Sequence, residues 1–318
     1  MRKAPLLLAL IAAVAAAGGA EAKTSKTGTH AAAKVSDCDR ACLDGMVDSY
    51  LEAMIARAPA TPAWAAVVRY SENSVSMMIG DGVWATITAR SPTALRAADP
   101  RTGQVVWMGE IEEHGQPGFL ALRLKVEGRK ITEAEALVRR KNGPPQYGDP
   151  TQYSHDPSFG AAVPAKAKLS RDKLVAVANG YLDGLQGKAG AQFAPGCARQ
   201  DNGVASTTGD TADGGVPGCA AQFKAGVFKP ISRVRDRRFP IVDEARGVVI
   251  AAGFLDLPAR ADKPDPAKGG LAWATTYPYS IDFIAAFKVQ TSGVYRIESI
   301  SGALPYLMPS PWGGAAGR

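Results

Sequence analysis

The chain carries one pattern twice. Leu43-Asp-Gly-Met-Val-Asp-Ser-Tyr50-Leu-Glu-Ala-Met54 aligns without a gap to Leu174-Val-Ala-Val-Ala-Asn-Gly-Tyr181-Leu-Asp-Gly-Leu185. The match continues in order. Arg69-Tyr-Ser-Glu72-Asn73 answers Arg199-Gln-Asp201-Asn202, and Asp99 to Gly103 answers Asp243 to Gly247. Leu124 to Val126 with Ile131 to Glu133 answers Phe287 to Val289 with Ile297 to Ser299. An internal repeat fixes the number of structural units and pairs their equivalent positions.

Ahead of the repeat stand Met1-Arg2-Lys3, an apolar run from Pro5 to Ala17, and a small-residue stretch ending at Ala22. That order is the pattern of a secretory signal peptide, expected over residues 1–22, with a disordered leader over 23–35. The expected location is secreted or periplasmic, with no membrane association after cleavage. Four cysteines suit that compartment. Of three possible pairings, one bridge per repeat is expected: Cys38–Cys42 and Cys197–Cys219. The second closes a loop worth roughly 3 kcal/mol in the chain-entropy model. A net charge of +7 over 318 residues is mild, and no nucleic-acid-binding motif accompanies it.

Leu43, Met46, Val47, Tyr50, Leu51, Met54 and Ile55 recur at helical spacing, so a helix is expected from Asp37 to Arg57, capped by Ser36 or Asp37. Ala63 to Val68 reads as one more helical turn, and Val67 to Met78 as a short strand. Val83 to Ala89 fits helix or strand equally. Runs at Gln104–Glu112, Phe119–Val126 and Lys130–Arg139 are separated by Gly115–Gly118 and Glu127–Arg129 turns, which indicates an antiparallel meander. The first unit spans 36–140, a linker 141–168, the second unit 169–303 and an irregular arm 304–318. The second unit adds a Gly-rich loop at Asn202–Pro217 and an insertion at Leu257–Pro278, a candidate lid.

Helix, short helix, strand and a meander with the strand start Gly128-Arg-Lys-Ile131 resemble the nuclear transport factor 2-like (SnoaL-like) superfamily. Cys38 to Leu43, Gly80 to Thr86 and Arg235 to Asp243 resemble a tandem family of secreted proteins of unknown function. The resemblance implies an α+β fold of two cone-shaped domains, each a curved antiparallel sheet wrapped around a long N-terminal helix with a pocket between. The superfamily includes isomerases, dehydratases, cyclases and plain binding modules, so fold leaves function open.

By position, Tyr50 and Tyr181 resemble the superfamily's oxyanion-stabilising tyrosine, and Glu72 and Asp201 its catalytic carboxylate. The same carboxylates beside Arg69 and Arg199 also read as structural ion pairs. Asp81 and Trp84 are candidate ligand contacts or, respectively, a helix cap and a core filler. Trp107, which answers Ala251, is a candidate stacking wall. In the row Arg233, Arg235, Arg237, alternation puts three guanidiniums on one face, for an anion or for Asp243, Asp256, Glu110, Glu112 and Glu113. Arg199 joins Arg235 and Arg237 as a candidate ligand contact.

His30, His114 and His155 are the only histidines, none placed for a hydrolytic triad, and no dinucleotide fingerprint or metal-ligand spacing is present. No cofactor or metal is expected. The leading reading is a secreted protein binding an apolar or weakly anionic small molecule in one cone. The alternatives are a cofactor-free isomerase, lyase or dehydratase using a Tyr–carboxylate pair, and a structural module with filled cones. The repeats differ where a pocket would be lined, so one cone is expected to be functional, the second favoured.

Overall fold

The computed structural model describes residues 37–207, 218–259 and 277–313. The expected signal peptide and leader, most of the 202–217 loop and most of the 257–278 insertion lie outside these residues.

Helix α1 (Arg40–Ile55) buries Leu43, Val47, Tyr50, Leu51 and Met54, the apolar stripe read from the sequence. Its cap is Asp39, whose carboxylate accepts from the Cys42 N–H at 2.9 Å, rather than Ser36 or Asp37. In the second copy, α3 (Arg171–Leu185) is capped by Ser170. Both expected bridges form: Cys38–Cys42 spans the first turn of α1 and Cys197–Cys219 joins the second unit's first strand to its short helix.

The expected helical turn at 63–68 is instead the start of strand β1 (Trp64–Glu72), which runs parallel to β7 (Lys130–Arg139). Trp64, Val67 and Val68 suit a pleated surface, and the parallel ladder with β7 satisfies the backbone groups that a short helical turn would leave unpaired. After β2 (Val75–Ser76), the ambiguous stretch divides into α2 (Val83–Thr86) and β3 (Ile87–Arg90). Strand β4 (Leu95–Asp99) then pairs with β5 (Gln104–Glu113). The next hairpin turns at His114-Gly115, both at positive φ, so β6 (Gln116–Glu127) starts earlier than the sequence suggests.

The second sheet is built from β8 (Phe193–Asp201), β9 (Val204–Thr207), β10 (Arg233–Asp243), β11 (Val248–Leu257), β12 (Tyr279–Gln290) and β13 (Gly293–Pro305), with α4 (Cys219–Ala225) between β9 and β10. Its run β11-β12-β13-β8-β9 repeats the first sheet's β5-β6-β7-β1-β2, including the parallel pair, with β10 beside β11 as β4 is beside β5. The fold is therefore mixed α+β with two sheets in tandem.

Backbone hydrogen bonds correct one part of the repeat alignment. Ile131 N–H donates to Ala63, as Val294 N–H donates to Gln192, so Ile131 matches Val294 and not Ile297. Glu72 still matches Asp201, since their strand partners are Ala136 and Ser299. Arg199, however, matches Tyr70 rather than Arg69.

Both sheets are buried on both faces. Val105, Trp107, Leu122 and Leu124 face α1, and Val249, Ala251, Ala285 and Phe287 face α3. The opposite faces meet in a third core that includes Val106, Met108, Phe119, Ile250, Ile284 and Ile300. A reciprocal pair of ion bridges ties the units. Arg40 of α1 reaches Asp243 at 2.7 Å, and Arg171 of α3 reaches Asp99 at 2.5 Å. Each arginine opens its helix, and each aspartate ends the equivalent strand of the other unit.

Polar groups fill the rest of the seam. Glu135 accepts from Arg123 at 2.7 Å and from Arg238 at 2.6 Å. Trp312, in the arm beyond β13, lies under Arg69 and Arg123 and donates its indole N–H to Ser71 at 2.9 Å. The 141–168 stretch is a packed strap: Phe159 enters the shared core, and Tyr153 donates to Glu298 at 2.9 Å.

Two seam carboxyls titrate upward. Burial pushes Asp282, bonded to Ser74 across the seam, up to about 7. Burial pushes Glu298 up to about 7 against the bonds from Asp156 N–H and Tyr153. A raised carboxyl holds its proton longer folded than unfolded, so its contribution is largest at low pH and declines as pH rises from about 4 through 7. His155, lowered by burial, works in the opposite direction below about pH 6.5. The expected result is a Tm roughly 5 °C lower at pH 8 than at pH 6, with Asp282→Asn flattening the slope. A scan showing equal slopes for the two proteins rejects the assignment.

No helix among the described residues is long and apolar enough to cross a membrane. Two disulfides match the chemistry of an oxidising compartment.

Candidate functional site

Helix α3, the inner face of the second sheet, the segment after α4 and Pro145–Gln146 of the strap line a half-open cavity of about 260 Å³ in the second unit. Its described walls are mostly apolar, among them Leu182, Leu185, Phe228, Ile231, Ile281 and Phe287. The Cys197–Cys219 bridge ties α4, and so this wall, to β8.

One end is polar. Arg199, on β8, donates from Nη1 to the Tyr181 hydroxyl at 3.2 Å. Its Nε lies 2.8 Å from Asp201 Oδ2, an ion-pair contact that is not an aligned hydrogen bond. Asp201 also accepts from Ser206 and Ser299, each at 2.7 Å. The guanidinium stacks 4.8 Å from the Phe228 ring centre. Burial pushes the Tyr181 phenol up against the pull of Arg199, so it stays protonated at neutral pH. Burial opposes the Arg199 charge, but Tyr181 and Asp201 outweigh it and hold the guanidinium above its ordinary value.

In the first unit the matching space is filled. Tyr50 accepts from the Trp84 indole at 2.9 Å, with ring centres 5.0 Å apart, and both are buried. Trp107, fully buried, faces Leu122 across β5–β6, where the second unit has Ala251 facing Ala285. Of the two alanines, Ala285, in the place of Leu122, lines the cavity, so the smaller side chain there leaves space that the first unit fills. Tyr70 stands where the second unit has Arg199, and burial, with Glu72 nearby, holds its phenol above the usual range.

Glu72 pairs with Arg140 at 3.3 Å, not with Arg69, and accepts the Val83 N–H at 2.6 Å. It anchors the α2 turn. Asp81 is exposed and caps nothing; the cap position of α2 is Gly82, without a side-chain bond. Trp84 and Trp107 are core fillers.

The arginine row does not share one face. A bulge at Asp236, φ +50°, breaks the alternation of β10. Arg233 and Arg235 both bind Asp256, and Arg235 also reaches Asp236 and the Met308 carbonyl. Arg237 turns to Asn179 and Asp183 on α3. Arg238 crosses to Glu135, a partner absent from the sequence expectation. Most donors of the row are thus engaged within the protein, while the Arg233 side chain stays 54% exposed.

The sequence reading missed Ser206, Ser299 and Gln222 as cavity groups. Ser299 carries a usable signal: it puts a hydroxyl where the matching strand has Ala136. Gln222 donates to the Ser206 carbonyl from α4 and has no such marker.

Three of the solved structures that overlap part of this chain are the following. A candidate ketosteroid isomerase from Kribbella flavida is 15% identical over 38% of this chain and 93% of that one, with TM-score 0.27. A candidate polyketide cyclase from Xanthomonas campestris is 18% identical over 41% and 90%, with TM-score 0.29. A candidate hydroxylase from Streptomyces galilaeus is 9% identical over 43% and 83%, with TM-score 0.28. No curated protein matches the chain. Residues 167–301, the unit that holds the cavity, match the family model described as a domain of unknown function, DUF8021.

Proposed function

We propose that this protein binds a small, largely apolar molecule in the cone formed by α3 and the second sheet. The observation that carries the reading is the unequal filling of two equivalent sites: the buried Trp107 and Leu122 pack the first, whereas Ala285, in the place of Leu122, lines the open cavity of the second. An apolar cavity with a few converging polar groups is the usual form of a small-molecule site. Its volume suits roughly ten carbons, by scaling from a 150 Å³ cavity that holds benzene.

The chemistry at the polar end supports binding over catalysis. A general base needs a carboxylate free to take a proton, whereas Asp201 already meets two hydroxyls and a guanidinium. Tyr181 accepts from Arg199 and keeps its own proton to offer a ligand. The first cone serves as a filled support for the second. The two disulfides and the expected signal peptide support work outside the cytoplasm.

Organic extraction of the purified mature protein, followed by mass spectrometry, tests the proposal. An apolar compound of roughly the stated size should be retained by the wild type. No retained compound, together with no thermal shift across a library of apolar molecules, rejects the binding reading.

A further inference from the structure

The polar end of the cavity has a feature that sets the charge of its ligand. Arg199 is the sole cation among the described lining residues and Asp201 the sole carboxylate. The Arg199 side chain is only 9% exposed. Its Nη1 is engaged by Tyr181 and its Nε lies on Asp201, while Nη2 has no partner among the described residues. One donor is thus available beside a charge that is already compensated.

Resting on the binding reading above, we infer that Arg199 anchors an uncharged ligand oxygen, such as a ketone, ester or amide carbonyl, and that Asp201 makes the site discriminate against carboxylates. A neutral carbonyl gains a charge-assisted hydrogen bond from Nη2 without adding charge. A carboxylate gains the same bond but must lose its hydration and sit beside Asp201 in an apolar cavity. Like charges at short range in a low-dielectric site repel strongly. The remaining lining reinforces the preference. Gln222 presents an unpaired buried Oε1, and its amide nitrogen is already spent on the Ser206 carbonyl. Ser206 and Ser299 donate their hydroxyl protons to Asp201. Ser206, Ser299 and Gln222 thus offer no donor to a carboxylate, and the Tyr181 hydroxyl, the donor that remains beside Nη2, serves a neutral carbonyl equally well.

The first unit marks Arg199 as the determining position. Tyr70 occupies the matching place there, in a filled core, with its hydroxyl 3.5 Å from Glu72. The arginine therefore accompanies the open cavity and not the fold itself.

Calorimetric titration at pH 8 with 2-octanone, octanoate and octane, on wild type, Asp201→Asn and Arg199→Lys, tests the inference. In the wild type, 2-octanone should bind about tenfold more tightly than octane, the equivalent of one net hydrogen bond of about 1.4 kcal/mol. Octanoate should bind at least as weakly as octane. In Asp201→Asn the guanidinium loses its counter-charge, and octanoate should become the tightest of the three. Arg199→Lys keeps the charge but lacks the forked donor, and should lose most of the ketone preference. Circular dichroism confirms that each variant is folded. Octanoate binding the wild type as well as 2-octanone, with no inversion in Asp201→Asn, overturns the inference and leaves the binding function standing. Equal affinity for ketone and octane does the same. No binding of any probe overturns the binding reading itself.

Discussion

Glu135→Gln lowers the unfolding free energy by about 3–5 kcal/mol, the cost of stripping one partner from a buried ion cluster. Glu135 is 8% exposed and Arg123 2% exposed, so water cannot take over the lost contacts. Two guanidiniums converge on this carboxylate, one from each unit. Burial pushes the Glu135 carboxyl up, but Arg123 and Arg238 outweigh it and hold it below its ordinary value. Glutamine keeps the shape but leaves Arg238 without its carboxylate and Arg123 with Glu133 alone, the Trp312 indole stacked close by. Urea denaturation measures the effect. A double-mutant cycle with Arg238→Met separates the seam from general damage, because removing the second cation relieves much of the strain left by the first change. The double variant should therefore be less destabilised than the sum of its parts. Strict additivity would show that Arg238 and Glu135 do not act together across the seam.

The same stretch shows where sequence reasoning stops. The arginines after Ile231 were conspicuous, but alternation assumes an unbroken strand. A single residue at positive φ, Asp236, sent Arg237 to α3 and Arg238 to the other unit. A bulge has no strong sequence mark, and Asp at positive φ is tolerated often enough to pass unnoticed. The helices were legible because Tyr50 and Tyr181 sit in long periodic stripes. The turn at 128–129 was legible because Gly128 adopts positive φ without a steric penalty. Strand β1 was misread at its start because Ala63 to Val68 is short, and its parallel partner is more than sixty residues later.

The cavity was partly legible for a different reason. The repeat sets Trp107 against Ala251 from the sequence alone. What it could not supply was the facing residue, since Leu122 and Ala285 become partners only through strand register. Nor could it supply the match of Tyr70 with Arg199, which rests on the backbone bonds of Ile131 and Val294. Side-chain similarity favoured Arg69 and Ile297 at those points. Hydrogen bonding, which ignores side-chain identity, decided otherwise.

Exchanging the filling residues between the two units should exchange their behaviour. Ala285→Leu copies Leu122 into the open cavity, where Ala285 is part of the lining. Three added carbons in an apolar space contribute about 0.8 kcal/mol each at most, so Tm should rise by a few degrees. The same carbons occupy ligand volume, and uptake should fall at least tenfold. The reverse change, Trp107→Ala, empties a fully buried indole from the first unit and should cost about 3–5 kcal/mol. Its indole nitrogen has no hydrogen-bond partner among the described residues, so packing accounts for the whole loss. The new space should admit octane but show no preference for 2-octanone, because Tyr70 and not Arg199 borders it. Thermal denaturation and calorimetric titration of both variants read these outcomes. Undiminished uptake by a folded Ala285→Leu protein would place the ligand elsewhere. A ketone preference arising in the first unit of Trp107→Ala would detach ligand selection from Arg199, because that unit carries Tyr70 in the arginine's place.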